Sequence, residues 1–203
     1  MVKSRTCLTA ITLICAAAGE GRAATFTTLY QFAGPPDGAN PTASLIEVGG
    51  KLYGTTFSGG SILSPVGTVF KIDPATGAEI GGYSFTGGAD GGEPRASLIN
   101  VGGKLYGTTP IGGTSGVGTV FQINRTTMAE SVVYSFANGY AGTGPGASLL
   151  DVGGTLYGTT SGGGSNYGTV FTINLAAGTE SVFYRFNPNT GHPDGENPAA
   201  PLI

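Results

Sequence analysis

Short runs in which hydrophobic and polar residues alternate are separated by glycine along this chain, and one run recurs three times. Leu-Tyr-Gly-Thr-Thr begins at Leu52, Leu105 and Leu156, which are 53 and then 51 residues apart. Such alternation predicts half-buried β-strands. A period of about 50 residues is typical of propeller blades or solenoid turns. The pattern therefore predicts a tandem array of β-units.

Four strands are predicted in each unit. The first unit opens with a Pro-x-Ala-x-Leu segment at 41–45, which leads into a first strand at 44–48. A Gly-Gly hairpin at 49–50 joins it to the second strand, 51–56, and a glycine-rich connection at 57–66 leads to the third strand, 67–72. A turn at 73–77 precedes the fourth strand, which ends in Tyr-x-Phe at 83–85. Two orphan elements flank the three units, a fourth strand at 30–32 and a first strand at 198–202. A four-stranded antiparallel meander is a propeller blade. The predicted fold is all-β, with β-propeller-like tandem blades, and a solenoid ranks second because it would need a shorter period.

The glycine content supports turns between strands. Glycine accounts for 38 of the 203 residues and proline for 12, a content that would indicate disorder in a chain without periodicity. Here the glycines recur at the same place in each unit, beside β-branched and aromatic residues. They are therefore interpreted as turn residues.

Residues 1–23 are predicted to be a secretory signal peptide, and residues 24–203 the repeat domain. Lys3 and Arg5 precede an apolar run at 6–18, and small residues flank Arg22 where a signal peptidase cleaves. The run is too short to remain as a transmembrane helix. The protein is therefore expected to be secreted.

Cleavage after residue 23 would remove both cysteines, Cys7 and Cys15, and with them any disulfide or thiolate metal site. Acylation of Cys15 is the weaker alternative, because Ile14 is bulky where a small residue is expected. The remaining chain would carry 6 basic and 11 acidic residues, a net charge of −5. This balance disfavours nucleic acid as a partner, and no later apolar run is long enough for a membrane span.

A longer motif string is common to the units: Leu-Tyr-Gly-Thr-Thr, Gly-Thr-Val-Phe-x-Ile, Tyr-x-Phe and Pro-x-Ala-x-Leu. This string resembles the GloVer tandem repeat of bacterial secreted proteins over essentially all of residues 24–203. A looser similarity to kelch blades lies in Leu-Tyr-Gly-Thr-Thr-x-x-Gly-Gly. The resemblance implies a propeller-like architecture on the cell exterior, with cell-surface attachment in longer relatives, and it implies no catalytic residues.

Three complete units are too few for a ring, because propellers have about four to eight blades. The sequence ends at Ile203, within a repeat. Two interpretations stay open: a fragment of a longer array, which the ending within a unit favours, or two chains that complete a ring together. In a fragment, the terminal strands would be unpaired edges and liable to self-association.

Carboxylates offer the main candidate chemistry. Asp37, Asp90 and Asp194 each precede glycine in the loop between units, which predicts a tight turn. Calcium binding is the alternative, because further oxygen ligands lie nearby, at Asn40, Glu93, Glu196 and Asn197. The spacing does not match a calcium loop, and the third copy of the loop, residues 139–146, lacks the aspartate. The turn is favoured.

Other candidate residues are few. His192 has neither a second histidine nor a cysteine nucleophile as a partner after residue 23, so it is interpreted as an exposed loop residue. Tyr53, Tyr106 and Tyr157 could line a sugar-binding face, but their recurrence at one strand position favours packing between units. No catalytic, cofactor-binding or metal-binding residue is therefore predicted.

The sequence predicts an extracellular, non-catalytic repeat protein that binds an extracellular protein or glycan. The connections at 57–66, 110–117 and 161–167 vary on a repeated frame, and loops of this kind commonly carry binding specificity. One alternative is a secreted propeller enzyme that acts on polysaccharide, which would need two carboxylates facing one cleft. The other is a truncated product without an independent function.

Overall fold

All regular structure in the described residues of the computed structural model, namely 9–14, 25–137, 139–164, 167–187 and 195–203, is β-strand. Within this part of the chain, no helix has the length and hydropathy that a membrane crossing requires. Two strands precede the units, β1 (Thr9–Ile14) and β2 (Phe26–Phe32), and they pair in antiparallel fashion. β1 lies within the predicted signal peptide, and β2 contains the predicted orphan fourth strand.

Each of the three units contains a four-stranded antiparallel sheet. The first unit comprises β3 (Gly38–Ala39), β4 (Ile46–Val48), β5 (Lys51–Thr56), β6 (Ser58–Gly59), β7 (Thr68–Asp73) and β8 (Ala78–Ser84). The second comprises β9 (Ile99–Val101), β10 (Lys104–Thr109), β11 (Thr119–Asn124) and β12 (Glu130–Ser135). The third comprises β13 (Thr143–Pro145), β14 (Leu150–Val152), β15 (Thr155–Gly162), β16 (Thr169–Asn174) and β17 (Thr179–Arg185).

The order of the main strands follows the chain in every unit: β4-β5-β7-β8, β9-β10-β11-β12 and β14-β15-β16-β17. The short strands β3 and β6 pair beside the first sheet, and β13 extends the third by pairing with β15. This meander confirms the predicted all-β fold of tandem, propeller-like four-stranded blades.

The predicted first strands were too long. In each unit the Pro-x-Ala-x-Leu segment is irregular, and the first strand starts only after it, at Ile46 in the first unit. Residues 198–202 correspond to this irregular segment, and the prediction of an orphan strand there was wrong. Proline cannot donate a ladder hydrogen bond, and the backbone carbonyls of the segment bind the preceding unit instead, as described below.

The Gly-Gly pairs form the predicted tight hairpins. Gly49 and Gly50 have φ values of 63° and 73°, and the pairs in the other two units also have positive φ. A two-residue turn with positive φ at both positions matches the twist of the strands that it joins. Glycine is favoured there because other residues are strained in this conformation.

Aromatic rings join consecutive units. Phe85, just after β8, packs edge-to-face on Phe121 of β11, with ring centroids 5.0 Å apart and an interplanar angle of 70°. The same contact joins Phe32 to Phe70 and Phe136 to Phe171. All six rings are fully buried. Each sheet thereby covers a face that it could not bury alone.

Each residue of Leu-Tyr-Gly-Thr-Thr has a distinct packing or hydrogen-bonding role, as the second unit shows. Leu105 is buried against the first unit, and Tyr106 faces the third unit. A Cβ on Gly107 would lie 2.5 Å from Cζ of Phe121, so glycine leaves room for the ring. The Thr108 hydroxyl donates to the Ala147 carbonyl of the next unit at 3.1 Å. The Thr109 hydroxyl bonds that of Thr119 in the same unit at 2.8 Å.

A backbone contact completes each junction between units. The Glu93 amide donates to the Val66 carbonyl at 2.6 Å, and Pro94 packs where a Cβ on Gly67 would clash. Glu93 reaches this position only with a left-handed backbone, φ 57°. Gly144 takes the same place in the next junction, with φ 64° and a bond of 2.9 Å to Val117.

The ring contact between units is expected to carry much of the stability. Replacing Phe121 with alanine should lower the free energy of unfolding by about 3–5 kcal/mol, because a fully buried ring is lost and a cavity is left. Urea denaturation followed by circular dichroism measures the change. Leu63→Ala, at a side chain that is 96% exposed, is the control and should leave the free energy of unfolding nearly unchanged. Equal losses in the two variants would contradict this account.

The strained residue before Pro94 yields a second prediction. Glu93→Gly should raise the free energy of unfolding by about 1 kcal/mol, because glycine adopts positive φ without the Cβ clash. Both substitutions remove the ion pair between the Glu93 carboxylate and Arg95, but Glu93→Ala retains a Cβ, so it should not raise the free energy of unfolding. Both variants are compared with the unmodified chain by urea denaturation. A gain in the alanine variant would show that the side chain, and not the backbone, is responsible.

Candidate functional site

Every unit has two ends, because consecutive strands are antiparallel neighbours. The β4–β5 hairpin and the β7–β8 turn lie at one end, here called the hairpin end. The β5–β7 connection and the segment that leads to the next unit lie at the other, here called the loop end. The connections that vary between units therefore share the loop end.

A cavity of about 610 Å³ lies at the loop end and is called the loop-end pocket. Two sets of equivalent positions line it. One set follows Leu-Tyr-Gly-Thr-Thr and consists of Phe57, Pro110 and Ser161; the other follows the proline of Pro-x-Ala-x-Leu and includes Thr42, Arg95 and Gly146. The residue type differs between units at every one of these positions, while the neighbouring motif residues repeat. The three predicted variable connections thus begin at one shared pocket.

Arg95 supplies the positive charge of the loop-end pocket. Its guanidinium carbon lies 4.7 Å from the centroid of the Phe57 ring, a cation–π contact between consecutive units. One terminal nitrogen bonds the Glu93 carboxylate at 2.9 Å. Among the described residues that line the pocket, only Arg95 is ionisable. The pocket therefore combines an apolar ring with a cation and suits a ligand that carries hydrogen-bond acceptors.

The aspartates of the Asp-Gly loops turn back onto the preceding strand. Asp90 accepts hydrogen bonds from the Tyr83 hydroxyl at 2.9 Å and from the Thr86 amide at 2.8 Å. Asp37 accepts in the same way from the Tyr30 hydroxyl at 3.2 Å and from the Ala33 amide at 2.8 Å. Both carboxylates close their loops and hold the tyrosine of Tyr-x-Phe.

The remaining calcium candidates lie near these loops in the sequence. In the described part of the chain, no group of three or more His, Cys, Asp or Glu side chains that could hold a metal occurs. Asn40, Glu93 and Asn197 precede the prolines of the first, second and fourth Pro-x-Ala-x-Leu segments with left-handed backbones, φ 57°, 57° and 51°. Glu196 is exposed. Asp194 and His192 lie outside the described residues.

Sequence reasoning missed a second carboxyl at each junction. Glu79, Glu130 and Glu180 lie four residues before the tyrosine of Tyr-x-Phe in their units, a recurrence that could have revealed them. Burial raises the pKa of all three, and the nearby Asp90 charge contributes for Glu130, whose pKa rises to about 7. Among the described residues, one buried oxygen of Glu130 and one of Glu180 have no hydrogen-bond partner. Burial thus disfavours the ionised form of each of these carboxyls relative to an exposed glutamate.

The recurring tyrosines of the second strand pack between units. Tyr53 and Tyr106 are 2% and 6% exposed, within the clusters that join the first unit to the second and the second to the third. Tyr157 is half-buried and packs edge-to-face on the exposed Phe183, with centroids 5.9 Å apart. Two of the three are therefore core residues that pack between units.

The tandem sheets and their shared loop-end pocket define a β-propeller-like repeat protein. The chain matches the model of the Gloeobacter/Verrucomicrobia repeat over residues 20–203, and it belongs to that family. The resemblance to the GloVer repeat is thereby confirmed, whereas the similarity to kelch blades stays a prediction.

Solved structures similar to this chain include BamB from Moraxella catarrhalis, with 16% identity, a TM-score of 0.47, and coverage of 77% of this chain and 43% of that chain. TolB from Acinetobacter baumannii is similar at 13% identity, with a TM-score of 0.47 and coverage of 80% of this chain and 36% of that chain. The chain thus spans less than half of the length of either protein. No curated protein matches the sequence.

The raised pKa of Glu130 predicts a pH dependence of stability. In the unfolded chain this carboxyl releases its proton near pH 4.5, whereas in the folded chain it does so near pH 7. The protonated group therefore favours the folded state fully below pH 4.5, and this contribution is lost as pH rises to about 7. Glu130→Gln keeps a neutral side chain at every pH, so its melting temperature should exceed that of the unmodified chain at pH 7.5 and approach it at pH 4.

Thermal unfolding monitored by circular dichroism across this pH range tests the expectation. Glu196→Gln, at an exposed carboxylate, is the matched control and should leave the pH profile unchanged. Glu79 and Glu180 retain their own dependence, so the substitution should reduce the slope and not abolish it. A Glu130→Gln profile parallel to that of the unmodified chain would contradict the assignment.

Proposed function

We propose that this protein is an extracellular, non-catalytic binding protein that recognises a protein segment or a glycan in the loop-end pocket. The observation that carries the proposal is the convergence of two equivalent sets of positions on one cavity of about 610 Å³, with a different residue from every unit. A repeated frame whose variable positions meet at one pocket is the arrangement that binding scaffolds use. The proposal of an extracellular location rests on the N-terminal pattern of residues 1–23 and on the resemblance of residues 24–203 to a repeat of bacterial secreted proteins.

The chemistry of the pocket suggests how a ligand would be held. Phe57 and Pro110 offer apolar surface, and Arg95 offers several N–H donors above the Phe57 ring. A sugar or peptide with a carboxylate or carbonyl could accept from the guanidinium while it packs on the apolar residues. Ser161 adds a hydroxyl, which also donates to the Gly144 carbonyl at 3.2 Å.

Arg95 is expected to be a main contributor to binding. A screen of glycan arrays and extracellular protein extracts with the secreted chain would identify a ligand, and titration calorimetry would then compare variants. Arg95→Ala should weaken binding by about tenfold or more, because a charge-assisted hydrogen bond is lost. Arg185→Ala is the matched control, since this exposed arginine lies near the Tyr140 ring, 5.9 Å from its centroid, and does not line the pocket. Similar losses in both variants, or none in either, would refute the proposal.

A secreted enzyme acting on polysaccharide is the second candidate, and the junction carboxyls favour it. Glu130, with its pKa raised to about 7, lies close enough to Asp90 to sense its charge, and glycosidases use a pair of neighbouring carboxyls for acid and base catalysis. The same pairing recurs as Asp37 with Glu79, which is expected of a repeated structural element. Release of reducing sugar from a polysaccharide panel, abolished by Asp90→Asn, would establish the enzyme and exclude the binding protein.

A further inference from the structure

A second cavity, at the hairpin end, gathers most of the positive charge. It lies between the first and second units, has a volume of about 540 Å³ and is called the inter-unit cleft. Lys51 and Lys71 of the first unit and Lys104 and Arg125 of the second line it. Residues 24–203 contain only six basic residues, so four of the six meet in one cavity. None of the described residues that line the cleft is acidic.

Contacts across the two units hold these cations in place. Lys71 Nζ donates to the Arg125 carbonyl at 3.2 Å and lies 5.6 Å from the centroid of the Tyr53 ring. Arg125 Nε donates to the Gly103 carbonyl at 2.8 Å. Its Nη1 is 3.8 Å from the position that a Cβ on Gly49 would occupy, so the guanidinium spans the gap to the hairpin of the first unit. Groups that are already ordered lose less entropy when they bind a ligand.

The other two cations, Lys51 and Lys104, each contact a side chain of their own unit. Lys104 Nζ donates to Gln122 Oε1 at 3.1 Å, and Lys51 Nζ pairs with Asp73 Oδ2 at 2.9 Å. The Asp73 carboxylate offsets one of the four charges, and three remain. This positive site contrasts with the net charge of −5 that residues 24–203 carry.

The fold does not require these charges, as the corresponding cleft between the second and third units shows. There Gln122 takes the place of Lys71, Thr155 that of Lys104, and Leu175 that of Arg125, so that of the four cations only the counterpart of Lys51 is retained. The frame is nevertheless the same. The side chain of Asn124 caps its turn by accepting from the Thr126 amide at 2.9 Å, and Asn174 accepts from the Ala176 amide at 3.0 Å.

Because like charges repel, a cluster that the frame does not need suggests a ligand that does need it. We propose that the inter-unit cleft binds an oligosaccharide that carries several acidic groups, as uronates or sulfates. Lys71 and Arg125 would contact the anionic groups, since both bridge the two units. Asn124 and Thr126 on the rim offer donors and acceptors to sugar hydroxyls. The cleft lies at the opposite end of the units from the loop-end pocket, so this site is independent of the function proposed above.

The test uses residues that the chain itself places in the neighbouring cleft. The triple variant Lys71→Gln, Lys104→Thr and Arg125→Leu carries side chains that the same frame already accommodates one unit further on. Calorimetric titration with hexagalacturonate should show binding to the unmodified chain that weakens as ionic strength rises. The triple variant should bind about tenfold more weakly or worse, with its melting temperature unchanged or raised.

Two controls isolate the site. Arg185→Ala removes a cation elsewhere and should leave the affinity unchanged. The fully methyl-esterified hexagalacturonate, which has the same sugars without their charges, should not bind. A converse variant, Gln122→Lys with Thr155→Lys and Leu175→Arg, should create a second site and raise the stoichiometry from one to two.

Several outcomes would overturn the proposal. These are absence of hexagalacturonate binding, equal affinity in the triple variant, or equal binding of the methyl ester. Inorganic pyrophosphate or citrate bound as tightly as hexagalacturonate, and lost in the triple variant, would mean a site for small anions and not for an oligosaccharide.

Discussion

The edge-to-face contact between a phenylalanine at the end of one unit and a phenylalanine in the third strand of the next is the interaction on which the structure depends. A single four-stranded sheet leaves one face without cover, and the ring from the neighbouring unit supplies it. Glycine in the middle of Leu-Tyr-Gly-Thr-Thr is a consequence of this contact, because the ring of Phe121 lies where a side chain on Gly107 would be. Units therefore fold as neighbours and not as separate domains.

Polar groups around that apolar centre align the units. Threonine hydroxyls and the amide before each proline bind carbonyls of the adjoining unit, so the irregular segment that precedes each first strand is held at a definite place. The residues after each proline then point to a common pocket. At the same junctions, carboxyls such as Glu130 are buried at a cost in stability. The junction is thus optimised for alignment and only partly for stability.

The strands and hairpins could be predicted from the sequence because they depend on local patterns, such as Gly-Gly between two alternating runs. The end of the chain was misjudged, because the carbonyl contacts that keep Pro-x-Ala-x-Leu irregular come from another unit. Glu130 could not be identified from the Asp-Gly pattern, because that pattern selects carboxylates in loops and Glu130 begins strand β12. The inter-unit cleft could not be predicted, because Lys51 and Arg125 are distant in sequence and come together only when two units pack. The net negative charge of the chain also gave no indication of a local cluster of cations.

Each cleft between units takes one wall from either neighbour, so a single unit contributes to two different surfaces. The second unit shows this, since Arg125 belongs to the cleft on one side and Gln122 to the corresponding cleft on the other. The binding surfaces of such an array therefore depend on which units are neighbours. A duplicated or transposed unit would keep its phenylalanine contacts and still face a new neighbour, so new surfaces can arise by rearrangement of existing units without any substitution.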